Sequence, residues 1–259
     1  MPRRLTYAAR RSLKMTEREA FSLARDRVLS EAHSTVGIGG LAEKTLHKIL
    51  KLTVEPSAEF HEVEYLGFVA DIKNGQGIYE IQTRSAERLI KKLEAFLPAV
   101  KVTVVIPVIT EKTLRWLDKS TGEISEPKKS PKHESVYTAF SELYMIRRFL
   151  NSENLSVKMM LISVEEYKYL DGWDKTRHKG STKLDRIPKE LLRTVTLNTP
   201  EDYAALLPEE LPEEFTSREL SLILKAPKAC ASAIAGVFSS VGAIEAVRRK
   251  GSAYIYKKS

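Results

Sequence analysis

The residues of this chain best suited to chemistry are Asp71, Glu80 and Gln82. They fall in a stretch that reads as strands near 67–73 and 77–83, joined by a turn around Asn74-Gly75. In an antiparallel hairpin the numbers of paired residues have a constant sum, and side chains alternate between faces. With Asn74-Gly75 as the loop, Asp71 faces Ile78 and lies diagonal to Glu80; with Gly75-Gln76, Asp71 sits opposite Glu80. Both registers put the carboxylates on one face, with Gln82 beside them. Carboxylates about 5 to 8 Å apart, with oxygen ligands only, suit a hard divalent cation that keeps waters and a phosphate. A solvated face of an amphipathic hairpin would show the same spacing, so the surrounding elements decide.

A helix is expected from about Leu41 to Lys51, with Leu46, Ile49 and Leu50 apolar. Glu43 lies seven residues before Leu50, about 20° away around the axis, so it borders the apolar stripe. A carboxylate facing a packed layer needs an ion pair or a metal. His47 shares that side of the helix and reads as structural. His61, His133 and His178 show no metal-ligand spacing, and Cys230, in a run of small residues, reads as core.

The elements around these residues form a consistent order. Thr16 and Glu19 make a capping box ahead of a helix to about Ala32, and a strand near 61–66 precedes the hairpin. Leu89, Ile90, Leu93, Phe96 and Leu97 mark a helix over 85–97. Residues 102–108 form an almost wholly apolar strand, as expected where both sheet faces are covered. Strand, helix and buried strand make a crossover. A hairpin over 114–124, a helix over 135–149 and a strand over 157–164 complete a domain from 15 to about 170. Residues 171–212 read as a basic connector. From 213 to 259 the order is helix, turn, helix and a two-stranded hairpin across Lys250-Gly251: the plan of a winged helix, with its second helix as groove reader.

Charge points the same way. The chain has 259 residues, with 42 Lys plus Arg against 34 Asp plus Glu, a net of +8. The excess is patched: a basic arm over 1–14; Arg177, Lys179 and Lys183; then Lys228, Arg248, Arg249 and Lys250. Clustered cations suit a polyanion, with a merely solvated basic surface as the alternative. No apolar stretch is long enough for a membrane helix, no secretory leader is visible, and a single cysteine excludes an internal disulfide. A cytoplasmic location is expected.

A glutamate on an early helix, an Asp in one strand, Glu-x-Gln in the next, a helix and a buried strand together resemble the PD-(D/E)XK nuclease superfamily, over about 41–108. The resemblance implies an α/β restriction-endonuclease-like αβββαβ core with a mixed central sheet, joined here to a small C-terminal winged helix. It implies divalent-metal-dependent hydrolysis of DNA phosphodiesters with Mg²⁺ or Mn²⁺. Glu43, Asp71, Glu80 and Gln82 would be catalytic; Asp71, Glu80 and the Ile81 carbonyl would hold metal; Gln82 would orient water. Two departures stand out. Ala70 precedes Asp71, which the loose first part of the motif tolerates, and Gln82 replaces the lysine, so that its charge would come from Lys91, Lys92 or Lys48. The alternative is an inactive nuclease-like scaffold that binds DNA in a regulatory role; RNA processing is a third reading. A homodimer is an open alternative to a monomer, since endonucleases that cut both strands often dimerise.

Overall fold

Phe21, Ala24 and Val28 recur at the three- and four-residue spacing of one helix face, and Leu46, Ile49 and Leu50 repeat it. They form the buried sides of α1 (Glu17–His33) and α2 (Ala42–Val54). In the computed structural model, which describes residues 15–33, 42–83, 85–131, 133–171 and 182–259, these helices lie on one face of a mixed sheet. The side chains of residues 32, 33, 42–44, 183 and 185 are outside that description. The expected capping box closes the start of α1: Thr16 N–H donates to Glu19 Oε2 at 2.7 Å, and Glu19 N–H to Thr16 Oγ1 at 3.3 Å.

The sheet comprises β1 (His61–Tyr65), β2 (Phe68–Asn74), β3 (Gly77–Ile81), β4 (Val102–Leu117), β6 (Leu155–Tyr169) and β7 (Lys183–Leu197), in that spatial order. The short β5 (Lys128–Lys129) pairs with β4. β3 and β4 are parallel neighbours joined through α3 (Ile90–Phe96), and β4 and β6 are also parallel; the other neighbours on that path are antiparallel. Val102, Val104, Ile106 and Val108 enter one core while Val105 and Ile109 enter the other. That division explains why the strand is apolar on both sides. The core opposite α1 and α2 is covered by α3, α4 (Phe140–Met145), the short α5 (Pro200–Ala204) through Tyr203, α6 (Ser217–Ile223) and α7 (Ala231–Ser240).

The structure differs from the sequence reading in three places. The segment read as a connector over 171–212 contains β7, fifteen residues in the sheet, so the sheet domain does not stop near 170. Its pattern was hidden because β7 is an edge strand, with a proline at 188, and its pairing with β6 shifts register at three points, which breaks the period of two. The hairpin expected over 114–124 is present: β4 runs on to Leu117, Asp118 N–H donates to Glu123 O at 2.9 Å across the turn, and the chain returns antiparallel through the bridge from Leu117 to Ile124 and β5. The helix expected over 135–149 is broken into α4 flanked by 3-10 turns.

The third difference concerns the C-terminal unit. β8 (Phe215–Thr216), β10 (Ala253–Lys258) and β9 (Ile244–Lys250) form a second sheet in that order, beside α6 and α7. The unit at 213–259 shares one continuous core with the sheet domain: the Phe238 and Phe140 rings lie 5.1 Å apart, and Asn151 Nδ2 donates to Ser240 O at 2.8 Å. α7 carries no charged residue, and its fully exposed residues are Ser232 and Ser239. α7 therefore offers a groove hydroxyls and no cation, and the charge expected of the unit stands on neighbouring elements.

Gly77 opens β3 at φ 137°, where an added Cβ would lie 2.4 Å from the Lys101 carbonyl oxygen. Gly77→Ala is expected to lower stability by about 3 kcal/mol in urea unfolding; an unchanged midpoint would show that this approach of the chain is not tight.

A candidate acidic site at the fork of two strands

β2 and β3 pair through Asn74 with Gly77, Lys73 with Ile78 and Ile72 with Tyr79. The constant sum of these pairs selects the second of the two registers, with Gly75-Gln76 as the loop and Asp71 across from Glu80. Asn74 Oδ1 holds the turn by accepting the Gln76 N–H at 2.9 Å. Beyond Ile72 and Tyr79 the ladder gives way: the Ile81 N–H donates 2.7 Å to the Asp71 carboxylate. The strands therefore fork where the acids stand.

The fork changes the geometry inferred from alternation. Ala70 packs into the core beneath α3, whereas Ile72, two residues on, packs into the core beneath α1 and α2. The strand rotates at Asp71, whose carboxylate is drawn toward the backbone of β3 by the Ile81 bond. The acids are consequently held from different layers. His47 Nε2 of α2 lies 3.4 Å from Asp71 Oδ2, and Lys92 Nζ of α3 donates to Glu80 Oε2 at 2.8 Å.

Their electrostatics diverge accordingly. Burial pushes the Asp71 carboxyl up, but hydrogen bonds from His47 and the Ile81 N–H outweigh it and hold the group below its ordinary value. The Glu80 side chain is 2% exposed. Burial, then the neighbouring Asp71 charge, push its carboxyl up to about 7, against the opposing pull of Lys92. Its Oε1 is buried without a hydrogen-bond partner. Such opposed shifts mark a pair of acids suited to sharing a cation or a proton.

Gln82, 8% exposed, continues β3 by donating its N–H to Val105 O at 2.8 Å. It borders a cavity of about 220 Å³ with Glu134, Glu142 and Arg186. Glu142 Oε2 accepts the Ala86 N–H at 2.7 Å and so anchors the turn leading into α3, the helix that carries Lys92.

The structure thus brings Asp71, Glu80, Ile81 and Gln82 together and adds His47 and Lys92. Of the lysines offered for the missing charge, Lys92 reaches the acids, while Lys48 pairs with Glu31 at 2.6 Å and Lys91 is exposed. His47 was read as structural; its place on the Glu43 side of α2 was the available signal. Glu43 belongs to α2, but its side chain lies outside the described residues. Among the described residues no group of three or more His, Cys, Asp or Glu side chains is arranged to hold a metal ion.

The basic candidates lie elsewhere. The arm over 1–14, Arg177 and Lys179 are outside the described residues, and of Lys183 only the backbone is described, paired with Lys168. Lys228 is exposed ahead of α7. On β9, Arg248 pairs with Glu214, Arg249 lies over the Tyr254 ring at 4.4 Å, and Lys250 is exposed at the turn.

The family described as "Domain of unknown function (DUF8091)" matches residues 44–198, from within α2 to just past β7. A protein of Treponema pallidum (strain Nichols), described as uncharacterized, is 31% identical over 180 residues, covering 69% of this chain and 71% of that one. No solved structure matches the chain.

Glu80 yields a pH prediction. A carboxyl raised from 4.5 to about 7 by folding costs stability in its charged form. That cost is absent below pH 4.5, grows as pH rises to about 7, and is constant above. Glu80→Gln should therefore match the wild type near pH 4 and gain on it by about 3 kcal/mol by pH 8. Urea unfolding across that range checks it; a difference independent of pH would mean that Glu80 is not charged at a cost.

Proposed function

The chain belongs to the family described as Domain of unknown function (DUF8091), and the matched segment holds both acids and Lys92; from the site alone we propose that it is a divalent-metal-dependent nuclease hydrolysing DNA phosphodiester bonds. The observation that carries this reading is Glu80: a buried carboxylate with one oxygen on Lys92, the other without a partner, and Asp71 close enough to raise its pKa. An unpartnered buried oxygen beside a second carboxylate is a donor set that fits Mg²⁺ or Mn²⁺. Asp71 and Glu80 would hold the ion, with the Ile81 carbonyl as a further oxygen ligand. When bound, the ion supplies an acidified water and neutralises charge on the phosphate.

The remaining steps belong to side chains. Lys92 Nζ stands in for the lysine absent at position 82, placing an ammonium beside Glu80 where charge on a non-bridging phosphate oxygen would develop. The Gln82 amide, able to donate and accept, would orient the attacking water. His47 fixes Asp71 as a positioning residue. The αβββαβ order from α2 to β4 and the mixed sheet support a restriction-endonuclease-like core.

The C-terminal sheet order β8-β10-β9 with α6 and α7 supports a winged helix. With no cation on α7, contact with DNA would be made by the β9–β10 hairpin, through Arg248, Arg249 and Lys250. The inactive scaffold is the second reading. The glutamine at 82 favours it.

The deciding experiment incubates linear, branched and single-stranded DNA, and RNA, with Mg²⁺ or Mn²⁺. Metal-dependent cutting is expected, reduced about a thousandfold by Glu80→Ala and strongly by Lys92→Met; binding without cutting under either metal would support the scaffold. Replacing Arg248, Arg249 and Lys250 by alanine is expected to weaken DNA binding and flatten its salt dependence. Unchanged affinity and slope would remove the hairpin from the interface.

A further inference from the structure

Beyond the first half of β4 the sheet carries a second buried acid. Glu166 of β6 is 1% exposed as a residue, and cations from three adjacent strands surround it. Arg186 of β7 donates to Oε2 at 2.9 Å, Lys112 of β4 lies 3.7 Å from Oε2, and Lys168 of β6 lies 3.5 Å from Oε1. Register explains the convergence: Glu166 pairs with Arg186 on one side and Leu114 on the other, so Lys112 and Lys168 each stand two residues along a strand on the same face.

Glu166 faces three cations among the described residues. The cluster is unequal in access. Glu166 is 2% exposed in its side chain, against 18% for Lys112, 21% for Lys168 and 32% for Arg186. The acid is beneath and the cations reach solvent. At 3.5 and 3.7 Å the ammonium groups are attracted to Glu166 without forming a tight hydrogen bond, and among the described residues neither donates one elsewhere. Ammonium donors held close together and partly dehydrated, with no short hydrogen bond to a described residue, are suited to an oxyanion.

The cluster also joins two cavities. Arg186 borders the cavity that contains Gln82. Lys112 borders another of about 510 Å³ with Lys129, His133 and Thr110, whose Oγ1 is buried without a partner. Along β4, Val104 lies beside Glu80 and Lys112 eight residues further on, about 26 Å away, with the register shift between Ile109 and Glu111 turning Lys112 to the face of Val164, the face of α1 and α2. That distance is the span of several nucleotides.

We propose that Lys112, Lys168 and Arg186, gathered by Glu166, form a binding site for backbone phosphates of a nucleic acid strand leaving the acidic fork. The choice of nucleic acid as the source of the phosphate rests on the proposed nuclease reading; the site itself rests on the cluster. Glu166 is a positioning residue that lets like charges from three strands sit together.

The test measures binding of the full chain to a DNA duplex of about 30 base pairs in EDTA, by fluorescence anisotropy, from about 50 to 300 mM salt. Lys112→Gln/Lys168→Gln is expected to weaken binding and lower the log–log salt slope by about 2, while Lys112→Arg/Lys168→Arg keeps the slope. Arg27→Ala, which removes one exposed charge from α1, should leave the slope unchanged. Where the double variant does not fold, Lys168→Gln alone is expected to lower the slope by about 1. A purely structural ion-pair network would lower the melting temperature of the glutamine variants and leave the slope as it was, which would overturn the proposal; so would a wild type that binds no DNA. Binding that loses its slope in a protein that cuts under neither metal would leave this site standing while the nuclease reading fell.

Discussion

A carboxylate taken almost wholly out of water sits where β2 and β3 part, and the local structure is arranged around its charge. Leaving Glu80 ionised there costs several kcal/mol unless something compensates. The Asp71 charge makes the cost larger, and Lys92, with the Asp71 backbone N–H, offsets part of it. For Lys92 to reach Glu80, α3 must begin where it does, and Glu142 of α4 fixes that start by accepting the Ala86 N–H. For Asp71 to remain ionised nearby, His47 of α2 and the Ile81 N–H must both reach it. Elements from both sides of the sheet are therefore committed to one pair of acids. A protein under pressure for stability alone would place an amide or an apolar residue at position 80.

Glu80 and Glu166, the most deeply buried acids among the described residues, differ in how they are compensated. Glu80 has one cation and an oxygen without a partner; Glu166 has three cations on three strands. They stand on different strands, Glu80 on β3 and Glu166 on β6, with β4 between them. The two arrangements follow from the same constraint, since neither charge can be screened by bulk water at that depth.

The C-terminal unit shows how burial redirects a functional expectation. Helix, turn, helix and hairpin are present where the sequence places them, and Thr216 caps α6 through a reciprocal bond with Glu219. α7 nevertheless lies against α4, with Gly236 facing the Tyr144 ring so closely that an added Cβ would meet it at 2.4 Å. The apolar composition that made α7 a helix also made it a packing surface. Arg248, Arg249 and Lys250 are exposed on β9, an edge strand with Arg249 stacked over Tyr254.

The sequence by itself determined the local elements and the identity of the acids. Strong periodicity marked α1, α2 and the apolar half of β4, and capping residues set the starts of α1 and α6, because these signals arise between residues a few positions apart. It also limited the hairpin to two registers. What only the tertiary structure decided was which register held, that the strand turns at Asp71, that Lys92 rather than Lys48 or Lys91 supplies the ammonium, and that His47 bonds an acid. β7 likewise became visible only as the partner of β6, its alternation erased by shifts in register. The Glu166 cluster joins residues 112, 166, 168 and 186, a convergence that no local spacing encodes. The physical reason is common to all of these: a charge buried in a sheet is compensated by whatever the packing of distant elements brings within a few ångströms, and that distance is a property of the fold and not of the chain.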